Sequence, residues 1–402
     1  DGEGVAPEVA PEEDAESGSW AERVANMQAL MQALAEEPTA ARAPSDGGSG
    51  DEEGSAPEEA GPSSAPARSS RRRRPSRSRH DRAYFETYDG FEIHRTMLGD
   101  RARTDAYRDA LRQPWLEGKA VLDIGCGTGI LSLFAAQQHA AAVYAVDASD
   151  IIAYAEHIIR RNGYEGHIVP IKGKVEEIAL PVQSVDVIVS EWMGYFLLFE
   201  AMLPSVLFAR DRWLKPGGLV LPNRASMQIC ATSFSEAAFW DDVYGFDMRP
   251  IGEALRRAKA ADVFVVPPEA KLSQPATFFS MDIMTVKAED LDFNADFRLR
   301  VDAAGSLEAF VCSFETAFDL EGVGGTSTVL RTGIDDVPTH WKQTVLHLRE
   351  AIRVEAGDSI RGLIAVARVD QERRDLSVSV TWTVLAEGGD VRCPERSQLW
   401  EV

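Results

Sequence analysis

The sequence predicts a doubly wound α/β domain, Rossmann-like and built on a parallel sheet, followed by an antiparallel β-barrel-like domain. Three observations carry that prediction. Short apolar runs at Ala120–Asp123, Val143–Asp147, Ile168–Ile171 and Val185–Ser190 are separated by helical stretches, the alternation of βαβ units. The first run enters a glycine-rich turn, Asp123–Gly129, which opens the helical stretch Ile130–Gln138. Beyond Pro222 the pattern changes: Phe297–Val301, Ala309–Phe314, Ile360–Val366 and Leu376–Thr383 alternate or run apolar at strand length.

Each element has room in the chain. Its 402 residues, 45% of them apolar, suffice for two domains plus unstructured sequence. Residues 1–80 are rich in Glu, Asp, Ala, Pro, Gly and Ser and are expected to be a disordered acidic tail. Within it, Ser19 and Glu22 have capping-box spacing, and Trp20, Val24, Met27, Met31 and Leu34 share one helical face. That helix could pack on its own chain, on nothing, or on a partner. The run Arg71–Arg79 could be a nuclear import signal, a substrate-like segment or a solvated linker. Residues 81–222 and 223–402 then form the two folded domains.

Composition also excludes function classes. No apolar run approaches the roughly 20 residues needed to span a bilayer, and no cationic-then-apolar leader is visible. The chain starts at Asp1 rather than Met, as a fragment or processed product would. A net charge of -22 argues against direct nucleic-acid binding and is compatible with basic partners. Cys126, Cys230, Cys312 and Cys393 are far apart and the histidines are scattered, so neither a disulfide framework nor a metal site is expected. A reducing compartment, the cytoplasm with the nucleus left open by the arginine run, is the expected location.

The glycine loop brings chemistry. Glycines at 125, 127 and 129 let backbone approach a ligand where side chains would collide. Asp147 ends the next strand, where a carboxylate can accept from two ribose hydroxyls. Nicotinamide enzymes share this geometry. The G-x-G-x-G spacing favours S-adenosylmethionine, which has no phosphate to seat on a helix N-terminus.

The segment Ser190-Glu191-Trp192-Met193-Gly194-Tyr195-Phe196-Leu197-Leu198-Phe199-Glu200 places two carboxylates at the ends of an apolar, aromatic run. Unpaired charge is costly in such surroundings. A planar guanidinium is the best geometric partner for two carboxylates. Here the sequence resembles the protein arginine methyltransferases, whose double-glutamate loop S-E-W-M-G-Y…E matches. Tyr84-Phe85-Glu86-Thr87-Tyr88, Asp123–Gly129, Lys172-Gly173-Lys174-Val175-Glu176 and Thr339-His340-Trp341 match as well. Phe199-Glu200, Phe239–Phe246 and Asp147 look like the branch that carries an N-terminal zinc finger and methylates a ribosomal protein. No zinc finger is present, so it would lie upstream of Asp1 or be lacking in this lineage.

The resemblance implies a class I methyltransferase domain binding S-adenosylmethionine, and a role for each matching residue. Glu191 and Glu200 would grip the substrate guanidinium. His340, paired with Asp100, would take the product's proton or tie the two domains together. Arg103 would pair with the cofactor's carboxylate beside His94. Gly125 and Gly127 with Asp123 would line the cradle, Asp147 hold the ribose, and Val175 and Glu176 meet the adenine. Tyr84 and Tyr88 would cap the pocket, with Trp341 beside the substrate. Met97, where the symmetric-product class has Phe, implies asymmetric dimethylarginine. The segment 232–251 resembles the family's dimerisation arm, so a homodimer is expected, with basic Arg-rich proteins (ribosomal, RNA-binding or histone) as substrates. Arg95-Thr96 departs from two glutamates common in relatives. Two other readings stay open at this point: a dinucleotide oxidoreductase, and a catalytically silent adaptor of an active methyltransferase.

Overall fold

The structure, a computed structural model, describes residue 85 and residues 87–200, 202–257, 261–369 and 374–402. The acidic tail with its helical island, the arginine run and Tyr84 lie outside the described residues. Packing divides the chain into Asp1–Tyr84 and Phe85–Val402.

Two helices, α1 (Phe91–Gly99) and α2 (Arg101–Leu111), precede the sheet. Asp100 separates them and caps α2, its Oδ1 accepting the Arg103 backbone N–H at 3.0 Å. That satisfies one of the amides a helix start leaves without an intrahelical partner. The elements then alternate as β1 (Ala120–Ile124), α3 (Ile130–Gln137), β2 (Ala142–Asp147), α4 (Ile152–Arg161), β3 (Ile168–Lys172), β4 (Val185–Ser190), α5 (Leu203–Trp213) and β5 (Leu214–Leu221). The four expected strands and the expected helix fall within one residue of these limits. The strand β5 went unread because Lys215-Pro216-Gly217-Gly218 has the composition of a turn. Its ladder on β4 is accordingly irregular between Val185 and Val187.

The sheet is parallel throughout, in the order β3-β2-β1-β4-β5. Val121, Leu122, Val143, Val187, Ile188 and Val189 are buried, as strands covered on both faces require. The strand order reverses at β1, whose neighbours are β2 on one side and β4 on the other. A crevice opens at the carboxyl ends of strands at such a reversal, and ligands bind there. The glycine loop leaves β1, Asp147 ends β2, and the acidic hairpin leaves β4, so all three meet at that edge.

The second half is antiparallel. It comprises β6 (Arg224–Thr232), α6 (Arg249–Arg257), β7 (Asp262–Phe264), β8 (Ala276–Asp282), β9 (Phe293–Arg300), β10 (Gly305–Phe318), β11 (Thr328–Arg331), β12 (Gln343–Val354), β13 (Ser359–Arg368), β14 (Leu376–Leu385) and β15 (Val391–Glu401). One sheet runs β7-β12-β10-β6-β8 with β11 on β10, the other β15-β14-β13-β9. Phe310 of the first meets Phe297 and Trp382 of the second edge-on, at 5.7 and 5.5 Å between ring centroids. Alternate residues of β14 from Leu376 to Val384 are buried, the period-2 pattern of a strand with one face inward. Helix α2 ties the halves together. Tyr107 packs edge-on against Phe318 at 4.8 Å, and Gln113, just past the helix, exchanges two hydrogen bonds with the Thr326 backbone.

Between β6 and β7 an excursion carries a 3-10 turn, Glu236–Asp241, and then α6. The excursion takes in the residues expected to form an arm, 232–251, and α6 runs on to Arg257. Phe239, Tyr244 and Phe246 are 62%, 97% and 68% exposed. Clustered exposed apolar side chains mark an interaction surface. Replacing Tyr244 and Phe246 together with Ser is expected to reduce a self-associated species to monomer mass in light scattering; an unchanged mass would show that copies do not meet there.

Candidate active site

The glycine loop turns on three left-handed glycines, with φ of 70° at Gly125, 54° at Gly127 and 85° at Gly129. A Cβ on Gly125 would lie 2.5 Å from the Met202 methyl, and one on Gly127 would lie 3.3 Å from the His94 ring. His94 is buried over the loop, with Nε2 2.8 Å from the Tyr88 carbonyl oxygen. Asp147 accepts at Oδ2 from the Gly127 N–H (2.8 Å) and at Oδ1 from the N–H and hydroxyl of Ser149 (2.8 and 2.6 Å). The carboxylate therefore shapes the loop as well as ending β2. Val175 is buried, while Glu176 is exposed on the turn after β3 and accepts from the Ser205 hydroxyl of α5.

Asp123 tests whether S-adenosylmethionine fits here. The residue is fully buried; Oδ2 accepts from the Ser132 hydroxyl at 2.6 Å, and Oδ1 is buried with no hydrogen-bond partner. A buried acceptor left over at the head of a glycine cradle suits a ligand that brings a positively charged donor, as the ammonium of S-adenosylmethionine does.

The acidic hairpin is folded by close backbone approach. The Gly194 N–H donates to the Leu197 carbonyl at 3.0 Å, and a Cβ at Gly194 would sit 2.0 Å from the Phe199 carbonyl oxygen, so only glycine fits. Phe196, Leu197 and Glu200 take positive φ of 49°, 59° and 75°, a conformation that costs non-glycine residues free energy and needs support from outside. Three groups supply it. The Tyr107 hydroxyl donates to the Ser190 carbonyl at 3.0 Å, the Ser190 hydroxyl to the Ile124 carbonyl at 2.8 Å, and the Trp341 indole N–H to the Met193 carbonyl at 2.9 Å. Trp341 is 4% exposed. Its indole thus packs against the hairpin and bonds its backbone.

Both glutamates are held. Arg103 donates Nε and Nη2 to Glu191 Oε2 at 3.1 and 2.9 Å, and Nη1 to the Met97 carbonyl at 3.2 Å. Only 7% and 11% of the two side chains are exposed. Arg103 was expected to face the cofactor carboxylate; its fork of five N–H groups leaves two for that purpose. Glu200 Oε2 accepts the Tyr88 hydroxyl at 2.7 Å. Burial and the charge of Glu200 push the Tyr195 phenol up to about 12, which keeps it a neutral donor.

Asp100 and His340 do meet. Asp100 Oδ2 accepts the His340 backbone N–H at 2.8 Å and lies 2.8 Å from its Nδ1. Burial would raise the Asp100 carboxyl, but bonds from the His340 side chain and the Arg103 and His340 amides hold it below the usual range. Among the described residues, no group of three His, Cys, Asp or Glu side chains is placed to hold a metal. Sequence reading missed Tyr107, Ser132, Ser149 and Arg374. Tyr107 lies four residues after Arg103, hence on its face of α2. Ser149 sits two after Asp147, the spacing of a side-chain-capped turn.

Comparison with known proteins narrows the readings. The arginine methyltransferase oligomerization subdomain matches residues 223–387, and a methyltransferase domain matches 121–218. Protein arginine N-methyltransferase 1 of Dictyostelium discoideum is 40% identical over 311 residues, 76% of this chain and 90% of that protein. This chain belongs to the protein arginine methyltransferase family. Ribosomal protein arginine N-methyltransferase rmt3 of Schizosaccharomyces pombe is 41% identical over 77% of the chain and 59% of that protein. At 40% and 41%, identity does not favour one of these two relatives over the other. Among solved structures, the Trypanosoma brucei PRMT1 enzyme-prozyme heterotetrameric complex with AdoHcy matches at 35% identity and a TM-score of 0.71, covering 79% of this chain and 99% of that one. The Arabidopsis thaliana protein arginine methyltransferase 10, in an open conformation, matches over the same shares at 31% and 0.72. The cofactor is S-adenosylmethionine, and the dinucleotide reading falls.

Burial pushes the Asp123 carboxyl up to about 7, against the bonds from Ser132, with the charge of Asp147 adding to the rise. Between its ordinary 3.8 and that value the folded protein holds a proton that the unfolded chain has released. Its contribution to stability is thus full at low pH and falls as pH rises through the window. Cofactor-free Asp123→Asn is expected to lose less urea stability than the parent between about pH 4 and pH 7; equal losses would show that Asp123 titrates in the ordinary range.

Proposed function

We propose that this methyltransferase acts on Arg/Gly-rich, ribosomal or histone proteins, producing ω-N-monomethylarginine and then asymmetric dimethylarginine. The observation that carries this reading is the pair Glu191 and Glu200 on one part-buried hairpin, each carboxylate fixed by a residue from outside it. Two anchored carboxylates match the planar fork of a guanidinium. Its pKa is above about 12, so it arrives charged.

Bound S-adenosylmethionine supplies an electrophilic methyl group on a sulfonium. Glu191 and Glu200 offset the repulsion between the two cations, several kcal/mol at low effective dielectric. By drawing the guanidinium charge toward themselves, they leave another nitrogen richer in electrons for in-line attack on the methyl carbon. Held geometry and preorganised charge supply most of the barrier lowering. Arg103 keeps Glu191 in place and has N–H groups left for the methionine carboxylate. Asp147 and Glu176 are the acceptors available for ribose and adenine. The product proton passes to His340, oriented by Asp100, or to a hairpin carboxylate. Oligomerisation through the exposed arm fits the match to the oligomerization subdomain.

Met97 is half-buried in the last turn of α1, two N–H and O–H groups (from Arg103 and Thr104) bonding its carbonyl. We read its flexible side chain as leaving room for a second methylation on the same nitrogen. With radiolabelled cofactor and an Arg/Gly-rich peptide, asymmetric dimethylarginine should form, and Glu191→Gln should lower kcat at least a hundredfold. Cofactor binding without transfer would leave the adaptor reading standing. Met97→Phe should shift the product spectrum away from asymmetric dimethylarginine; an identical spectrum would remove Met97 as the determinant.

A further inference from the structure

Glu200 has a second holder that the chemistry above does not use. Arg374, on the loop entering β14, lies 174 positions away in sequence. Its carbonyl accepts the Glu200 N–H at 3.2 Å, and its Nη1 donates to the Glu200 carbonyl. Both backbone groups of a residue in the left-handed region, φ 75°, are thereby tied to one partner in the other domain.

The same guanidinium lies over the Phe85 ring, 5.6 Å from its centroid. Lys174, on the turn after β3, is also in cation–π range of that ring at 5.8 Å. Phe85 in turn accepts the Tyr88 N–H on its carbonyl at 3.1 Å, and the Tyr88 hydroxyl returns to Glu200 Oε2. The contacts close a circuit, Arg374 to Phe85 to Tyr88 to Glu200 and back. It fixes the Glu200 backbone from the β domain and its carboxylate from the entry segment.

We propose that Arg374 is a positioning residue for methyl transfer, holding Glu200 in its strained conformation and coupling it through Phe85 to the segment that carries Tyr88. The proposal rests on Glu200 gripping the substrate guanidinium. An arginine is required: only its planar fork both stacks on a ring and reaches a carbonyl, whereas an ammonium is a point charge.

The test uses the full chain with S-adenosylmethionine and an Arg/Gly-rich peptide. Arg374→Met should lower kcat/KM for the peptide at least tenfold and leave the KM for S-adenosylmethionine within twofold. Arg374→Lys, keeping charge and one donor, should recover part of the loss. If Arg374 and Tyr88 hold the same glutamate, one by its backbone and one by its carboxylate, Arg374→Met with Tyr88→Phe should lose less than the product of the single losses. Should Arg374→Met not fold, Phe85→Leu offers the same readout without touching the hairpin, with an expected threefold or larger fall. Peptide kcat/KM within twofold of the parent in folded Arg374→Met, or fully multiplicative losses, would overturn the proposal. A fully active Glu200→Gln would instead fault the grip on which it rests.

Discussion

The buried pair between Arg103 and Glu191 is the interaction on which the rest of the site depends. Two opposite charges with about a tenth or less of their side chains exposed are tolerated only while each has the other. Removing one leaves the second buried and uncompensated, a cost on the order of 3–5 kcal/mol. The pair therefore ties the start of the hairpin to α2, the helix that Asp100 caps. Everything else on α2 acts along the same line. Asp100 caps its start and takes His340 from the other domain, Tyr107 reaches the end of β4, and Gln113 holds the Thr326 loop. The helix and its two flanks thus set acidic hairpin and β domain in a common frame.

That arrangement explains how the fold presents a precise site. The cradle comes from backbone, since glycine φ values and the Asp147 and Ser149 bonds shape it before any ligand arrives. The hairpin comes from constraint, because three of its residues would relax if released. Binding energy is best used where the receiving groups are already in position. The contacts to Ser190, Met193 and Glu200 from outside the hairpin achieve that at its two ends.

Much of this was legible in the sequence because the signals are local. A glycine turn after an apolar strand, an acid at the end of the next strand, and two glutamates around an aromatic run are each read within about ten residues. Strand limits came out nearly right in the parallel sheet, fell short at β9 and β10 of the antiparallel half, and β5 was lost where Pro216 and two glycines interrupt it. What stayed hidden is long-range. Arg374 and Glu200 carry no shared pattern, and Trp341 could be placed beside a family motif but not beneath the hairpin. The pairing of Arg103 with Glu191 rather than with a ligand alone is likewise a fact of packing. Charge complementarity says that an arginine needs a carboxylate, and only the fold says which one.

The four thiols have a practical consequence. Cys126, Cys230, Cys312 and Cys393 are all buried and form no disulfide; burial pushes the Cys230 thiol up to about 11 and raises Cys126 and Cys312 as well. Thiol-directed reagents act on exposed thiolates, and all four cysteines of the chain are buried. A single cysteine introduced at exposed Thr87 would then be the one position to take a dye or spin label, without first stripping the protein of its own sulfur. The site's entry segment becomes open to direct observation while transfer proceeds.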